Sequence, residues 1–490
     1  MAYSLLHPQA GTFHANQLDS KILYHLSFDR AVSRISADVK KQKSFLSVVS
    51  TLTDDVAEIE YRREIIRDFR ENLKLFSDFV SLCKRFDDLH LSAKNAGKDD
   101  FRLAVTQDVS FDSAKNILRT NALLLKRALL FVKAFGELLC SYSLRSQALT
   151  QLLSELKGIY ENSDYEKTLS FCTKYENLST IGILNFRFEI NELGKLTSYE
   201  LVDHRHIRVT DPDLKRKGFS LFKKETETYP CERIIYLKKN DFYGKLAVKA
   251  VADLSNLMRK LATQLFDRFV IPSRELDFYD VSLRYIEMLS QKGVSLCNPH
   301  FSKDGAAEGK GLYDLYLLLT KSNAAEVIPN DFAMRNGGVL VFGDNGSGKT
   351  VYLRSIATMQ LLAQAGLPVP CKSATIPCFS QIATQFSEAE KEFVSGNDAG
   401  RFEQEVRELA AMVDTLQEGA LVLLNETFQS TAYKESADGL YHLLNYFSAK
   451  NIKWILVTHL TDLKRYFDDQ VMISEMKGYH FQTLLHKGEK

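Results

Sequence analysis

Proline is scarce in this sequence: nine among 490 residues, with none between Pro8 and Pro212. A proline inside a helix removes a hydrogen bond and clashes with the preceding turn, so its absence over that length permits long helices. Glycine is modest too, at 24 residues, and 45% of the chain is hydrophobic and 26% charged. That composition excludes collagen-like, linker-like and disordered chains. Net charge is nearly absent, because 63 basic residues face 62 acidic ones. No whole-chain field draws in a polyanion, and a nucleic-acid partner would need a local basic patch. The seven cysteines (Cys83, Cys140, Cys172, Cys231, Cys297, Cys371 and Cys378) are odd in number, dispersed and without a CxxC pair. This argues against a disulfide framework or a zinc site and fits a reducing cytosol. Long apolar runs are missing as well. The most apolar helical stretch, Ala122 to Leu139, is broken by Lys126, Arg127 and Lys133, whereas a membrane span needs about 20 nearly uninterrupted apolar residues. The opening MAYSLLHPQAGTF has no basic stretch followed by an apolar run, so no signal peptide is expected and the expected location is cytoplasmic.

The length predicts two to four domains. Residues 15 to about 180 read as almost wholly helical. Between Asp54 and Phe86, the apolar residues Ile59, Ile65, Ile66, Phe69, Leu73, Phe76, Val80 and Cys83 recur at spacings of three and four, the pattern of one helix with one buried face. Near residue 181 the texture changes. Leu184, Phe186, Phe188 and Ile190 alternate with Asn185, Arg187 and Glu189, which predicts a half-buried strand. The segments SYELVDH and ERIIYLK read as further strands, giving a small β-containing insert over 181–245. Helices resume over 246–310, one of them opening with Ser273 as its N-cap. From 311 onward the apolar runs GGVLVFG, LVLLNE and KWILVTH alternate with helical stretches, which predicts a parallel sheet covered on both faces.

The most specific motif is Gly343-Asp344-Asn345-Gly346-Ser347-Gly348-Lys349-Thr350, a complete GxxxxGKT. It follows the predicted strand ending at Phe342 and opens a predicted helix, the context in which such a loop cradles phosphates. The glycines let the backbone wrap an anion, and successive N–H groups and a helix N-terminus face it. Lys349 would reach the β- and γ-phosphates of ATP, and the Thr350 hydroxyl would ligate Mg²⁺. The run LVLLNE ends in Asn425 and Glu426, and KWILVTH ends in Thr458 and His459. Ligands bind at the carboxyl ends of parallel strands, so these residues would face the phosphates. Glu426 is placed to orient or deprotonate an attacking water, and His459 to contact the γ-phosphate. A strand-terminal histidine is, however, more often structural.

Together these segments resemble the MutS family of ATPases, relatives of the ABC-type nucleotide-binding domains. Asn330-Asp331 matches the family's PND. GDNGSGKTVYLRSIATMQLLAQAGLPVP parallels its GPNMGGKST run. GRFEQEVREL resembles its STF-x-x-E segment through Phe402 and Glu405, Asp438-Gly439 matches the end of GTST-x-DG, and VTHLTDL is similar to ATH-x-x-EL. The resemblance implies an α/β P-loop NTPase of ABC-like, MutS type over 311–490, preceded by a long-helix lever/core domain with a small β-containing insert. Residues 1–180 would be the helical core and first lever helices, 181–245 a clamp-like insert, and 246–310 the returning lever helices. It further implies an ATP- and Mg²⁺-driven clamp acting on DNA, in mismatch repair or a related transaction, and working as a homodimer with composite ATP sites. No stretch matches the family's mismatch-reading domain, which leaves open a MutS-derived ATPase for branched DNA or ribosomes. Three residue patterns depart from the family. Asn425 stands where it has the Walker B Asp, Gly400 stands at its signature Ser, and the segment after Glu426 is longer. Asn425 as a weakened metal-shell residue predicts a slow ATPase, or a nucleotide-binding scaffold that hardly turns over. The dense basic cluster outside this domain is Lys215, Arg216, Lys217, Lys223 and Lys224, interleaved with Phe219 and Phe222. It is the candidate nucleic-acid contact, against the alternative of a solvated loop.

Overall fold

The computed structural model describes residues 3–8, 15–105, 111–176, 182–190, 196–206, 242–335, 337–386, 398–428, 433–467, 471–477 and 480–485. The chain forms two compact units: residues 1–3, 74–143 and 150–271 in one, and residues 4–73, 144–149 and 272–490 in the other.

In the first unit the scarcity of proline shows directly, in helices Leu73–Val105, Phe111–Cys140 and Phe242–Phe269 of 33, 30 and 28 residues. Aromatic side chains lock them together. Phe86 stacks on Phe131 with ring centres 3.6 Å apart and leans on Phe266 at 4.9 Å, while Phe79 meets Phe135 edge-on at 4.9 Å. One buried polar contact also joins these helices: the Asn121 amide donates to the Ser255 hydroxyl at 2.8 Å. The strands Gly182–Ile190 and Leu196–His206 pair antiparallel, with register shifts at Asn185/Phe186 and Glu189/Ile190. The ERIIYLK segment and the basic cluster Lys215, Arg216, Lys217, Lys223 and Lys224 lie outside the described residues.

The single helix expected between Asp54 and Phe86 is two. Helix Val56–Glu71 stops at Asn72, whose backbone (φ −136°, ψ 75°) is not helical, and a second helix starts at Leu73. The break resets the helical phase. Leu73 is 60% exposed, and Leu75 and Phe79 turn inward in its place.

The second unit carries a six-stranded sheet. Its strands run in the order Gln381–Phe386, Ala420–Asn425, Lys453–Val457, Gly338–Phe342, Met472–Lys477, His480–Leu485; neighbours are parallel except for the last pair. The central strands Gly338–Phe342 and Ala420–Asn425 are buried along their whole length. Gly338 is glycine for a packing reason, since a Cβ there would sit 2.1 Å from the Trp454 indole. A second, four-stranded sheet contains Asn330–Met334 and Ser373–Pro377, so Asn330-Asp331 opens a strand of its own.

Helix Lys349–Gln364 is buried almost throughout. Its polar residues are satisfied: Gln364 donates to the Thr53 and Phe379 carbonyls at 2.7 and 2.9 Å, and Gln360 to that of Pro377 at 2.8 Å. In helix Val56–Glu71, the fully buried Arg62 pairs with Glu58 and donates to the Leu6 carbonyl at 3.0 Å. Burial alone would raise the Glu58 carboxyl, but His7 and Arg62 hold it below the usual value. Helix Ser273–Gln291 begins at Ser273 with Pro272, not Ser273, at the N-cap and no side-chain cap. A proline donates no N–H, and its φ of −58° suits the helix entry. Among the described residues no helix is long and apolar enough to cross a membrane.

Candidate functional site

Three loops leave the same edge of the six-stranded sheet. The register sets Asn425 beside Val457 and Val457 beside Val341. Backbone bonds continue past the strand ends, Glu426 N–H to the Val457 carbonyl at 2.9 Å and Thr458 N–H to that of Val341 at 3.1 Å. The residues after Phe342, Asn425 and Val457 are therefore brought together by strand pairing.

The loop Gly343–Gly348 joins strand Gly338–Phe342 to helix Lys349–Gln364. Gly346 and Gly348 have φ of 78° and 95°, and a Cβ at either would meet nothing within 4 Å. The backbone angle, not crowding, calls for glycine at these two positions. The opposite holds at Gly343, where a Cβ would fall 2.7 Å from Ser347 Oγ. Asp344 and Asn345 are exposed at the turn, closed by Ser347 N–H to the Asp344 carbonyl at 3.1 Å.

Lys349 is 5% exposed, and its ammonium folds back onto the loop. Nζ donates to the Gly343 and Asp344 carbonyls at 2.7 and 3.0 Å and lies 3.6 Å from Glu426 Oε1. A buried cation is costly without such partners. The carbonyl oxygens stand where an oxyanion would compete for the same protons. Ser347 Oγ is buried without a hydrogen-bond partner, an unsatisfied donor inside the loop. The Thr350 hydroxyl donates to Asn425 Oδ1 at 3.2 Å, which puts two oxygens of the type hard cations prefer side by side.

Glu426 follows its strand in left-handed backbone, φ 58°, and Phe428 repeats this at 63°. Such angles cost a non-glycine residue roughly 1–3 kcal/mol each and persist where the surroundings hold them. The turn places the Glu426 carboxylate between Lys349 Nζ and His459 Nδ1, at 3.6 and 3.7 Å. His459 is 44% exposed and Glu426 25%, so both reach the open side of the sheet edge.

Beside the loop lies a cleft of about 230 Å³, lined by Val327, Ile328, Asn330, Val351, Tyr352 and Phe481 along with Ser347 and Gly348. Whole small-molecule sites run to roughly 300–1,000 Å³, so this one suits part of a ligand whose remainder lies on the loop. Its walls are tied together. Tyr352 stacks on Phe481 at 4.6 Å and donates to the Asp331 carbonyl at 2.9 Å, and Phe481 N–H donates to Asn330 Oδ1 at 2.8 Å. Tyr352 stands in the run that continues the GxxxxGKT loop, whereas Ile328 and Phe481 stand outside every sequence motif, with Asn330-Asp331 the signal nearest to this wall. GRFEQEV lies in the first turns of helix Asp398–Thr415. The Phe402 side chain and the basic cluster lie outside the described residues. Among the described residues no group of three or more His, Cys, Asp or Glu side chains could hold a metal ion.

Residues 339–487 match the family model of MutS domain V. Over 166 residues the chain is 30% identical to the DNA mismatch repair protein MutS of Bacillus pumilus, a stretch covering 33% of this chain and 19% of that protein. Over 167 residues it is 29% identical to the protein of the same name from Staphylococcus aureus strain JH9, covering 34% and 18%. The similarity thus spans less than a fifth of the length of these curated relatives.

Proposed function

We propose that this chain, a MutS family member through its carboxyl-terminal domain, binds ATP with Mg²⁺ at the Gly343–Thr350 loop and uses it to switch conformation on DNA, in mismatch repair or a related transaction. The observation that carries this reading is one sheet edge presenting the GxxxxGKT loop, the Thr350–Asn425 pair and the Glu426–His459 pair within hydrogen-bonding and ion-pairing distances. In this reading Gly343, Asp344, Asn345, Gly346, Ser347 and Gly348 wrap the phosphates with backbone N–H groups. Lys349 exchanges its two carbonyl partners for β- and γ-phosphate oxygens, and the unpartnered Ser347 hydroxyl gains an acceptor. The cleft beside Tyr352 and Phe481 takes the flat, apolar part of the nucleotide.

Thr350 and Asn425 are the residues that would hold Mg²⁺, a cation commonly bound through one or two protein oxygens plus substrate phosphates. When bound, it supplies charge neutralisation on the phosphate oxygens. Glu426 orients or deprotonates the attacking water, and His459 reads the γ-phosphate. An amide at 425 keeps a hydrogen bond but lacks charge. A carboxylate at 425 would add attraction to the cation on the order of several kcal/mol at an effective dielectric near 20, an upper bound because desolvation opposes it. Hydrolysis is therefore slow, and Asn425 is also what favours the second reading, a nucleotide-binding scaffold with little turnover.

The assembly follows the family's plan in this proposal. Residues 1–180 and 246–310 supply core and lever helices, 181–245 the clamp, and helix Asp398–Thr415 completes the ATP site of a second copy in a cytoplasmic homodimer. Lys215, Arg216, Lys217, Lys223 and Lys224 contact the phosphates of double-stranded or branched DNA. If they neutralise about four phosphates, log K falls against log salt with a slope near −3.5. Replacing all five by Ser should flatten that slope and leave ATP binding intact; equal slopes place the nucleic-acid contact elsewhere. The nucleotide reading itself is tested by calorimetry with Mg²⁺-ATP. Lys349→Ala is expected to lose binding, and unchanged affinity removes the basis of the proposal.

A further inference from the structure

Thr427, directly after Glu426, is turned inward. It is 2% exposed, and its hydroxyl donates to Oε1 of Gln385, itself 7% exposed. The non-glycine residues with left-handed backbone among those described are Ser27, Glu426, Phe428 and Asn451, and two of these four flank Thr427. Neither is Asn or Asp, the types that adopt this conformation most readily. Contacts must hold it. On one side Glu426 N–H bonds the Val457 carbonyl at 2.9 Å, and on the other the Ser436 hydroxyl bonds the Phe428 carbonyl at 2.8 Å. Between them stands the Thr427–Gln385 bond, made by two buried side chains.

Gln385 pairs with Leu424 in the sheet register, one position before the end of strand Ala420–Asn425. Its bond to Thr427 thus ties the turn to a neighbouring strand, not to its own. That strand is itself held. Alternation sets Thr384 and Phe386 on the face opposite Gln385, where His25 Nδ1 lies 2.9 Å from Thr384 Oγ1 and the imidazole stacks on Phe386 at 5.0 Å and 3°.

We propose that Thr427 and Gln385 are positioning residues for hydrolysis: their buried hydrogen bond fixes the turn that holds the Glu426 carboxylate between Lys349 and His459. This inference rests on the ATPase reading above. A carboxylate that acts on a water must be held within a fraction of an ångström by a locked supporting shell. Loss of the bond frees the turn without touching the Gly343–Thr350 loop, so it should slow hydrolysis and spare nucleotide affinity.

The test uses the full chain with Thr427→Val, Gln385→Leu, the double variant T427V/Q385L and Thr427→Ser. Each is read for thermal midpoint, affinity for a fluorescent ATP analogue and single-turnover hydrolysis. The two single variants are expected to hydrolyse roughly tenfold more slowly or worse, with affinity essentially that of the wild type, and Thr427→Ser to restore the rate. Each single change orphans a buried polar group, whereas the double variant orphans none. Its thermal midpoint should therefore recover while its hydrolysis stays slow. Recovery of hydrolysis together with the midpoint assigns the bond to packing alone and overturns the proposal, as do unchanged rates in both single variants. A wild-type chain that binds the analogue without hydrolysing it also overturns it, while leaving nucleotide binding in place. Failure of the underlying reading looks different: wild type and Lys349→Ala would then bind the analogue equally, whatever stands at 385 and 427.

Discussion

Two turns that leave the same side of the six-stranded sheet, with strand Lys453–Val457 between them, reach left-handed backbone by opposite means. In the loop after Phe342 the residues with positive φ are Gly346 and Gly348, with nothing near enough to crowd a Cβ. In the turn after Asn425 they are Glu426 and Phe428, and side-chain and backbone bonds hold them there. The first turn is relaxed and its conformation is written into residue type. The second is strained, and its conformation is imposed by neighbours. A loop that must lie against a ligand through its own backbone gains from having no side chains in the way. A turn that must aim one particular side chain cannot use glycine at that position, and the strain is the cost of having a carboxylate there.

The largest effect that sharpens this contrast should come from replacing Glu426 by Gln and by Gly. Both remove the carboxylate, so on the proposed role both should lower single-turnover hydrolysis by roughly 10²–10⁴. Their stabilities should then diverge: at an ordinary position Gly is the less stable of the two, but here Glu426→Gly should exceed Glu426→Gln by about 1 kcal/mol, because only glycine adopts φ 58° without strain. A denaturant melt in which the Gly variant is the weaker one would show the turn to be unstrained.

Next in size is Gly348→Ala. A methyl group there has open space, so the penalty is backbone strain alone, about 1–2 kcal/mol at φ 95°. If the loop holds phosphate through its backbone, ATP affinity should fall roughly tenfold for each 1.4 kcal/mol of strain carried into the bound state. Calorimetry that finds the affinity intact separates the loop's conformation from nucleotide binding.

The smallest effect is expected from Asn425→Asp, which keeps the contact with Thr350 and restores a charge. Steady-state hydrolysis should rise, by several fold, with little change in the thermal midpoint. A rate that stays level or drops means the site has been built around the amide, and the electrostatic argument fails.

The same contrast explains what could be read in advance. The strand, the GxxxxGKT loop and the helix it opens are contiguous, and each is encoded by residue types with few other uses, so their placement was legible. Asn425, Glu426 and His459 could be set at strand ends because apolar runs mark where buried strands stop. Gln385 and Thr427 could not be paired, because their meeting depends on the register between strands distant in sequence. The cleft side of Phe481 escaped for a different reason: the hairpin of Met472–Lys477 and His480–Leu485 has no strong alternation to announce it. The split at Asn72 was hidden because spacings of three and four continue on both sides of it, and only the backbone angle reveals the change of phase. The assignment of residues 4–73 to the same compact unit as the six-stranded sheet is also invisible to a reading that cuts a chain into consecutive pieces.

Gln364, near the end of the helix that the GxxxxGKT loop opens, donates to the Thr53 carbonyl. Two residues later Gly366 lies so close to Arg62 that a Cβ would sit 2.8 Å from that side chain. The consequence concerns dissection. A fragment cut at residue 311 would contain every element of the sequence signature, yet it would expose the buried flank of that helix and leave the Gln364 amide with only one of its two carbonyl acceptors, that of Phe379. What looks in the sequence like a portable cassette is half of an interlocked body, and the part most distant along the chain is the part that closes it.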